Sequence, residues 1–151
     1  TYHFNFLYIN IYVERPKMPL LEKKRPDSDS SISAKVFAYK LNSLLLLQNL
    51  DNTWELPGGH VKKGEPIIIG AMREFFEETG IQVYNLNIVG KGINRVFFKT
   101  KVNSTNVKLS KEHKNYMFVP VNNVYKMNLS KKAYKDLSIL KPKKKKNEEE
   151  V

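Results

Sequence analysis

At 151 residues, with 41% apolar and 11% aromatic residues, the chain suits one globular domain with a buried core, which excludes a disordered polymer. It has no cysteine, which excludes disulfides and thiolate metal sites and suits a reducing compartment, so the expected location is the cytoplasm. The net charge of +11 favours anionic partners, and no apolar run approaches the roughly 18 residues of a membrane span, so no membrane is expected.

Residues 1–33 carry no functional signal. Tyr2, Phe4, Phe6 and Tyr8 alternate with other residues as in a strand, and the stretch lacks the basic start and long apolar core of a secretory signal. Ser28, Ser30, Ser31 and Ser33, with Asp27 and Asp29, read as a linker, which makes residues 1–33 an N-terminal extension. The folded domain is expected over residues 34–140. Lys35–Tyr39 and Leu44–Leu47 flank Asn42-Ser43 as a hairpin. Asp51-Asn52 then turns the chain into Trp54-Glu55-Leu56-Pro57-Gly58-Gly59, where paired glycines let the backbone approach a ligand. Trp54 is either a platform for a nucleobase or a packing residue, and packing is the expectation.

A helix is predicted from Pro66, suited to the first helical position, to Gly80, suited to the position just past the end. Ile68, Met72, Phe75 and Thr79, with Ala71 beside them, form its expected core face. Glu74, Glu77 and Glu78 stand at i, i+3 and i+4 on another side. Carboxylates that close repel one another, and a hard divalent cation relieves them; Mg²⁺ takes a few carboxylates, some waters and substrate phosphates. The alternative is a solvated acidic face, which the preceding glycine pair argues against.

Strands are predicted for Gln82–Val89 and Arg95–Val102, with a loop at Asn103–Asn106. Leu129, Ala133, Leu137 and Leu140 recur at helical spacing, with Asn128 or Ser130 as the N-cap. Beyond Pro142, Lys143–Lys146 and Glu148–Glu150 read as a charged, disordered tail over residues 141–151. Removing that tail takes away five Lys and three Glu and still leaves +9, so the positive excess is spread through the domain.

From Gly59 to Ile81 the sequence GHVKKGEPIIIGAMREFFEETGI resembles the signature box of the Nudix hydrolases. Gly59, Glu65, Arg73, Glu74, Phe75, Glu77, Glu78, Gly80 and Ile81 fill its nine constrained positions without a departure. The resemblance extends over about Ala34 to Leu140 and implies the Nudix fold: an α/β class domain, an α/β/α sandwich with a mixed central sheet and the box loop and helix at its site. It also implies a Mg²⁺-dependent pyrophosphohydrolase, with Mn²⁺ as the alternative cofactor.

The resemblance assigns Glu74, Glu77 and Glu78 to the metal, helped by a backbone carbonyl of Gly58 or Gly59. Glu112 is the candidate for the further acidic residue that family members draw from a loop beyond the box, as base or ligand. Glu77 or Glu78 also polarises the attacking water. Arg73 and Glu65 are expected to pair and hold loop against helix, so the catalytic set reads Glu77, Glu78, Glu112 and Arg73, and the box's structural set reads Gly59, Glu65, Arg73 and Gly80. Substrate contacts are expected from His60 and Lys62 on phosphates, His113 on a phosphate or on Glu112, and Tyr116 or Tyr84 stacking on a base.

Leu109-Ser110-x-Glu112-His113-x-x-Tyr116-x-Phe118 and Gly59-His60-Val61 resemble segments of the animal-type asymmetric diadenosine tetraphosphate (Ap4A) hydrolases, which split Ap4A with water into ATP and AMP. Phe118 stands where Trp is usual, and Pro-Gly-Gly where Pro-Lys-Gly is common. Other Nudix substrates stay open: nucleoside triphosphates, ADP-ribose or a capped RNA 5′ end. So do two non-enzyme readings, a nucleotide sensor and a nucleic-acid binder. The expected partner is a small nucleotide polyphosphate, with nucleic acid entering only as capped RNA, and the chain is expected to be a monomer.

Overall fold

The computed structural model describes residues 29–141; the expected strand at Tyr2–Tyr8 and the charged tail beyond Lys141 lie outside them. Seven strands form one mixed sheet: β1 (Asp29–Lys40), β2 (Ser43–Asn49), β3 (Trp54–Glu55), β4 (Gly58–Lys62), β5 (Asn87–Gly92), β6 (Arg95–Lys101) and β7 (His113–Pro120). The path runs β3-β2-β1-β6-β5, with β4 added to β1 and β7 to β2. Among the described strand pairs only β1–β6 is parallel, in register from Ser33↔Arg95 to Tyr39↔Lys101.

Strand alternation buries both faces of the sheet. Val36, Ala38, Leu45 and Leu47 point to one core with Ala71, Met72 and Phe75 of helix α1 (Ile67–Thr79). Phe37, Leu44 and Leu46 point to the other, with Trp54, Val124 and Leu137. That second face is covered by a 3₁₀ turn at Val121–Lys126, the short helix α2 (Lys131–Asp136) and a 3₁₀ turn at Leu137–Leu140. Helical layers on both sides of a mixed sheet are the expected α/β/α arrangement. Among the described residues, no helix is long and apolar enough to cross a membrane.

Several local expectations shift. β1 starts at Asp29, so Ser30, Ser31 and Ser33 lie inside a strand instead of a linker, and the strand runs through the boundary expected at Ala34. Ser30 is tied there, its hydroxyl donating to the Val61 carbonyl at 2.8 Å. Pro66 is the N-cap residue of α1, one position before the helix proper. Ile68 is exposed, and Gly70 takes its place on the core face, packed against Val61. Residues 82–86 are not strand; β5 begins only at Asn87. The last helix breaks after Asp136 into the 3₁₀ turn, capped at its start by Ser130, whose hydroxyl accepts from the Ala133 N–H. Trp54 is a packing residue, buried in the second core.

Candidate functional site

The Gly58–Gly59 strand and the middle of α1 meet at one cleft of about 350 Å³. Gly58 has φ +130°, and a Cβ there would lie 2.1 Å from the Ala34 carbonyl oxygen, so glycine alone lets β4 lie this close to β1. At Gly59 an added Cβ would meet Glu74 Oε2 at 2.6 Å. The glycine pair therefore presses backbone directly onto helix carboxylates. Gly80, in the left-handed conformation at φ 68°, ends the helix just beyond them.

Glu74, Glu77, Glu78 and Glu112 all line this cleft, together with Gly59 and His60. Glu78 is buried and accepts a hydrogen bond from the Gly58 N–H at 2.8 Å. Burial pushes its carboxyl up to about 7, against the pull of Lys35 and the Gly58 N–H. Burial also raises Glu74, opposed by Arg73 and assisted by the charges of Glu77 and Glu112. Glu77 and Glu112 are exposed at the cleft mouth.

Arg73 organises the cluster from one side. Its guanidinium donates to Glu65 at 2.9 and 3.1 Å, to Glu74 at 2.8 Å, to Glu77 at 3.3 Å and to the His60 carbonyl at 3.2 Å. Burial opposes its charge, but the bonds to Glu65 and Glu74 outweigh burial and hold it protonated. Glu65 also accepts from the Lys62 N–H at 3.2 Å, which ties the box loop to the strand. The expected Arg73–Glu65 pair is thus part of a larger clamp that reaches two cluster carboxylates.

Sequence reading missed a second set of residues on the opposite wall. Lys35, buried within β1, donates to the Gly58 carbonyl at 3.0 Å and the Leu56 carbonyl at 3.3 Å. Glu55 accepts a hydrogen bond from His113 Nε2 at 2.8 Å, and although burial opposes it, that bond and the charge of Lys35 hold its carboxyl below the ordinary range. Burial lowers His113, but Glu55 and the charge of Glu78 outweigh it and raise it. Arg95 Nε donates to the buried Asp136 at 2.8 Å, joining β6 to α2, and Lys132 also lines the cleft. The available signal was a charge at the inward phase of an otherwise apolar strand, as Lys35 is between Ala34 and Val36.

Lys62, Tyr84, His113 and Tyr116 do not line the cleft. His113 stands behind Glu55, with one ligand atom within 4.8 Å of carboxylate oxygens of Glu78 and Glu112. Tyr116 packs against the α1-side core and its hydroxyl donates to the Thr105 carbonyl at 3.3 Å. Tyr84 is exposed in a separate depression. His60 is exposed at the mouth, its Nδ1 3.5 Å from the Ser33 hydroxyl.

The donor set fits a hard divalent cation. Four carboxylates line one cleft against bare glycine backbone, and the buried Glu78 is balanced by the Gly58 N–H and by the charges of Lys35 and His113.

The NUDIX domain profile matches residues 31–140. A MutT-like protein of Streptomyces ambofaciens is 34% identical over 98 residues, covering 60% of this chain and 61% of that protein. The chain therefore spans less than two thirds of that relative's length. The solved MutT protein from Methanosarcina mazei Go1 aligns with a TM-score of 0.62 at 28% identity, covering 74% of this chain and 91% of that one. A C. elegans Ap4A hydrolase, solved as a binary complex, aligns with a TM-score of 0.57 at 27% identity, covering 72% of this chain and 90% of that one. Profile, fold and an unbroken signature box agree, and the chain belongs to the NUDIX domain family.

Proposed function

We propose that the cleft is the active site of a Mg²⁺-dependent pyrophosphohydrolase acting on a nucleotide polyphosphate, with Ap4A as substrate and ATP and AMP as products. The observation that carries this reading is the convergence of Glu74, Glu77, Glu78 and Glu112 on the Gly58–Gly59 backbone. When bound there, Mg²⁺, or Mn²⁺ in its place, supplies Lewis acidity and positive charge against the phosphates.

The protein's own groups supply the rest. Glu74, Glu77 and Glu78 would hold the cation, with Gly59 beside them. The Gly58 N–H fixes one oxygen of Glu78, and Arg73 fixes Glu74 and Glu77. Lys35 draws the Gly58 carbonyl to itself, so of the two glycine carbonyls Gly59 is the one we assign to the cation. Glu112, exposed at the mouth, takes a proton from water as its oxygen bonds to phosphorus and the bridging P–O bond breaks. His60 and Lys132 at the cleft wall meet the outer phosphates.

A volume of about 350 Å³ is at the small end for ligand sites, so the polyphosphate enters and the nucleosides lie across the mouth. In that pose Lys62 and Tyr116 contact only parts of the substrate that extend past the cleft. The Ap4A choice is supported by the Glu112-His113-x-x-Tyr116 segment and by the likeness to the C. elegans hydrolase.

The test is a panel of Ap4A, ADP-ribose, deoxynucleoside triphosphates and capped RNA, each incubated with Mg²⁺ and resolved by chromatography. ATP with AMP as leading products is the expected result. Preference for another compound would replace the substrate and keep the chemistry; binding in EDTA with no turnover of any compound would overturn the hydrolase reading.

A further inference from the structure

The parallel β1–β6 pair has two ends with opposite chemistry. Ser33, Lys35 and Arg95 line the acidic cleft at one end. Tyr39, Lys99 and Lys101, in register further along the same strands, line an open groove of about 800 Å³ at the other. Tyr39 lies six residue steps beyond Ser33, roughly 20 Å at 3.3 Å per residue. A depression of about 340 Å³ continues the groove, sharing Asn85, Lys101 and Asn103 with it and adding Tyr84.

Among the described residues, no carboxylate lines either part. The sequence explains this: from Gly80 to Lys111 there is no Asp or Glu, against six Lys or Arg and five Asn. Among the described residues, the side chains of Asn85, Asn87, Asn103, Lys99 and Lys101 make no hydrogen bond or ion pair. Gln82, in the same wall, has a buried side-chain amide nitrogen with no partner among those residues. Tyr84 is 41% exposed. At the rim, Leu41 is 92% exposed on a turn with φ +52°, a conformation that costs a branched side chain.

We propose that this groove binds single-stranded nucleic acid. Lys99 and Lys101 neutralise phosphates, the Asn side chains offer donors and acceptors to base edges, and Tyr84 supplies a stacking face. A concave, amide-lined wall favours a strand with unpaired bases over a lipid surface, which would meet a flat basic face. The proposal is independent of the reaction assigned to the cleft.

The full chain is titrated in EDTA against a fluorescein-labelled ten-nucleotide single strand, followed by anisotropy over a salt series. Lys99→Gln/Lys101→Gln is expected to weaken binding at least tenfold and to reduce the log–log salt slope by about 1.4. Lys126→Gln/Lys135→Gln removes the same charge elsewhere and is expected to change affinity less than twofold. Tyr84→Ser is expected to weaken binding about tenfold with the salt slope unchanged, and Tyr84→Phe to restore it. Equal losses in the two lysine pairs would reduce the effect to net charge and overturn the groove. No binding by the unaltered chain, or capture of phosphatidylserine vesicles through Lys99 and Lys101 without the oligonucleotide, would also overturn it.

Discussion

The two ends of the β1–β6 strand pair differ in how their polar groups are held. At the acidic end most charged groups are committed: Arg73 to Glu65, Glu74 and Glu77, Lys35 to two carbonyls, Glu55 to His113, and Arg95 to Asp136. At the far end the Lys and Asn side chains face an open groove without partners among the described residues. Committed groups hold charge at fixed points, which is what transition-state stabilisation needs. Uncommitted long side chains adapt to a ligand and lose entropy when they do.

The largest effect should come from a group at the fixed end that stability does not need. Glu77 has a half-exposed side chain and, among the described residues, only its 3.3 and 3.4 Å contacts with Arg73 to lose. Glu77→Gln is expected to cut turnover at least a thousandfold, about 4 kcal/mol of barrier, and to move stability by less than about 1 kcal/mol. Turnover on the preferred substrate and urea unfolding read the two separately. Unfolding in step with lost activity would make Glu77 a structural residue.

The glycines test how closely that end is built. Gly58→Ala places a Cβ 2.1 Å from the Ala34 carbonyl at φ +130°, so β4 must leave β1 and release Glu78. A loss of about 3 kcal/mol or more in unfolding free energy is expected. Gly64→Ala, at φ +77° with nothing within 4 Å, carries only the backbone cost of about 1 kcal/mol. Similar costs at both positions would mean that β4 is free to shift.

Much of the fixed end was legible because one helix encodes it. Offsets of three and four residues set Glu74, Glu77 and Glu78 side by side whatever the rest of the chain does. Lys35, Glu55 and Asp136 were not legible, because what makes them matter is the pairing of distant strands, such as Lys35 opposite Gly58. The surroundings of Tyr116 were hidden for a related reason. Three residues past His113 are neighbours on a helix, but this segment is strand, and Tyr116 turns with Phe118 into the α1-side core. The groove left a trace in the sequence, the carboxylate-free run from Gly80 to Lys111, but only the fold shows that Tyr39 and Leu41 join it.

Glu78 gives a pH signature that belongs to the fixed end alone. In metal-free protein its folded carboxyl titrates at about 7 instead of the ordinary 4.5. Between those values the folded state keeps a proton that the unfolded state has lost, so this contribution is fully present below 4.5 and disappears as pH rises to 7. The loss is on the order of 3 kcal/mol. Glu78→Gln should flatten that slope, read as the difference between the two proteins in EDTA by urea unfolding at pH 5 and pH 7.5. Glu74 and His113 shift the same way and Glu55 the other, so the difference reads Glu78 together with the part of the His113 shift that its charge causes. Parallel slopes would mean that the buried carboxyl is already ionised at pH 5.

The smallest expected effect is the sharpest test of the separation itself. Residues with no shared partners and more than about 10 Å between them act additively within about 0.5 kcal/mol. Lys99→Gln/Lys101→Gln, at the far end, should therefore leave turnover of a small nucleotide within twofold. Combined with Arg73→Lys, which gives up the forked bonds to Glu65, Glu74 and Glu77 for a single ammonium, it should add nothing to that variant's loss. Salt is the sensitive control, because any long-range pull of the two lysines on an anionic substrate fades once the Debye length falls to about 3 Å at 1 M. A turnover defect that survives high salt, or a combined loss that exceeds the product of the two, would mean that β1 and β6 transmit strain between the ends as one rigid pair.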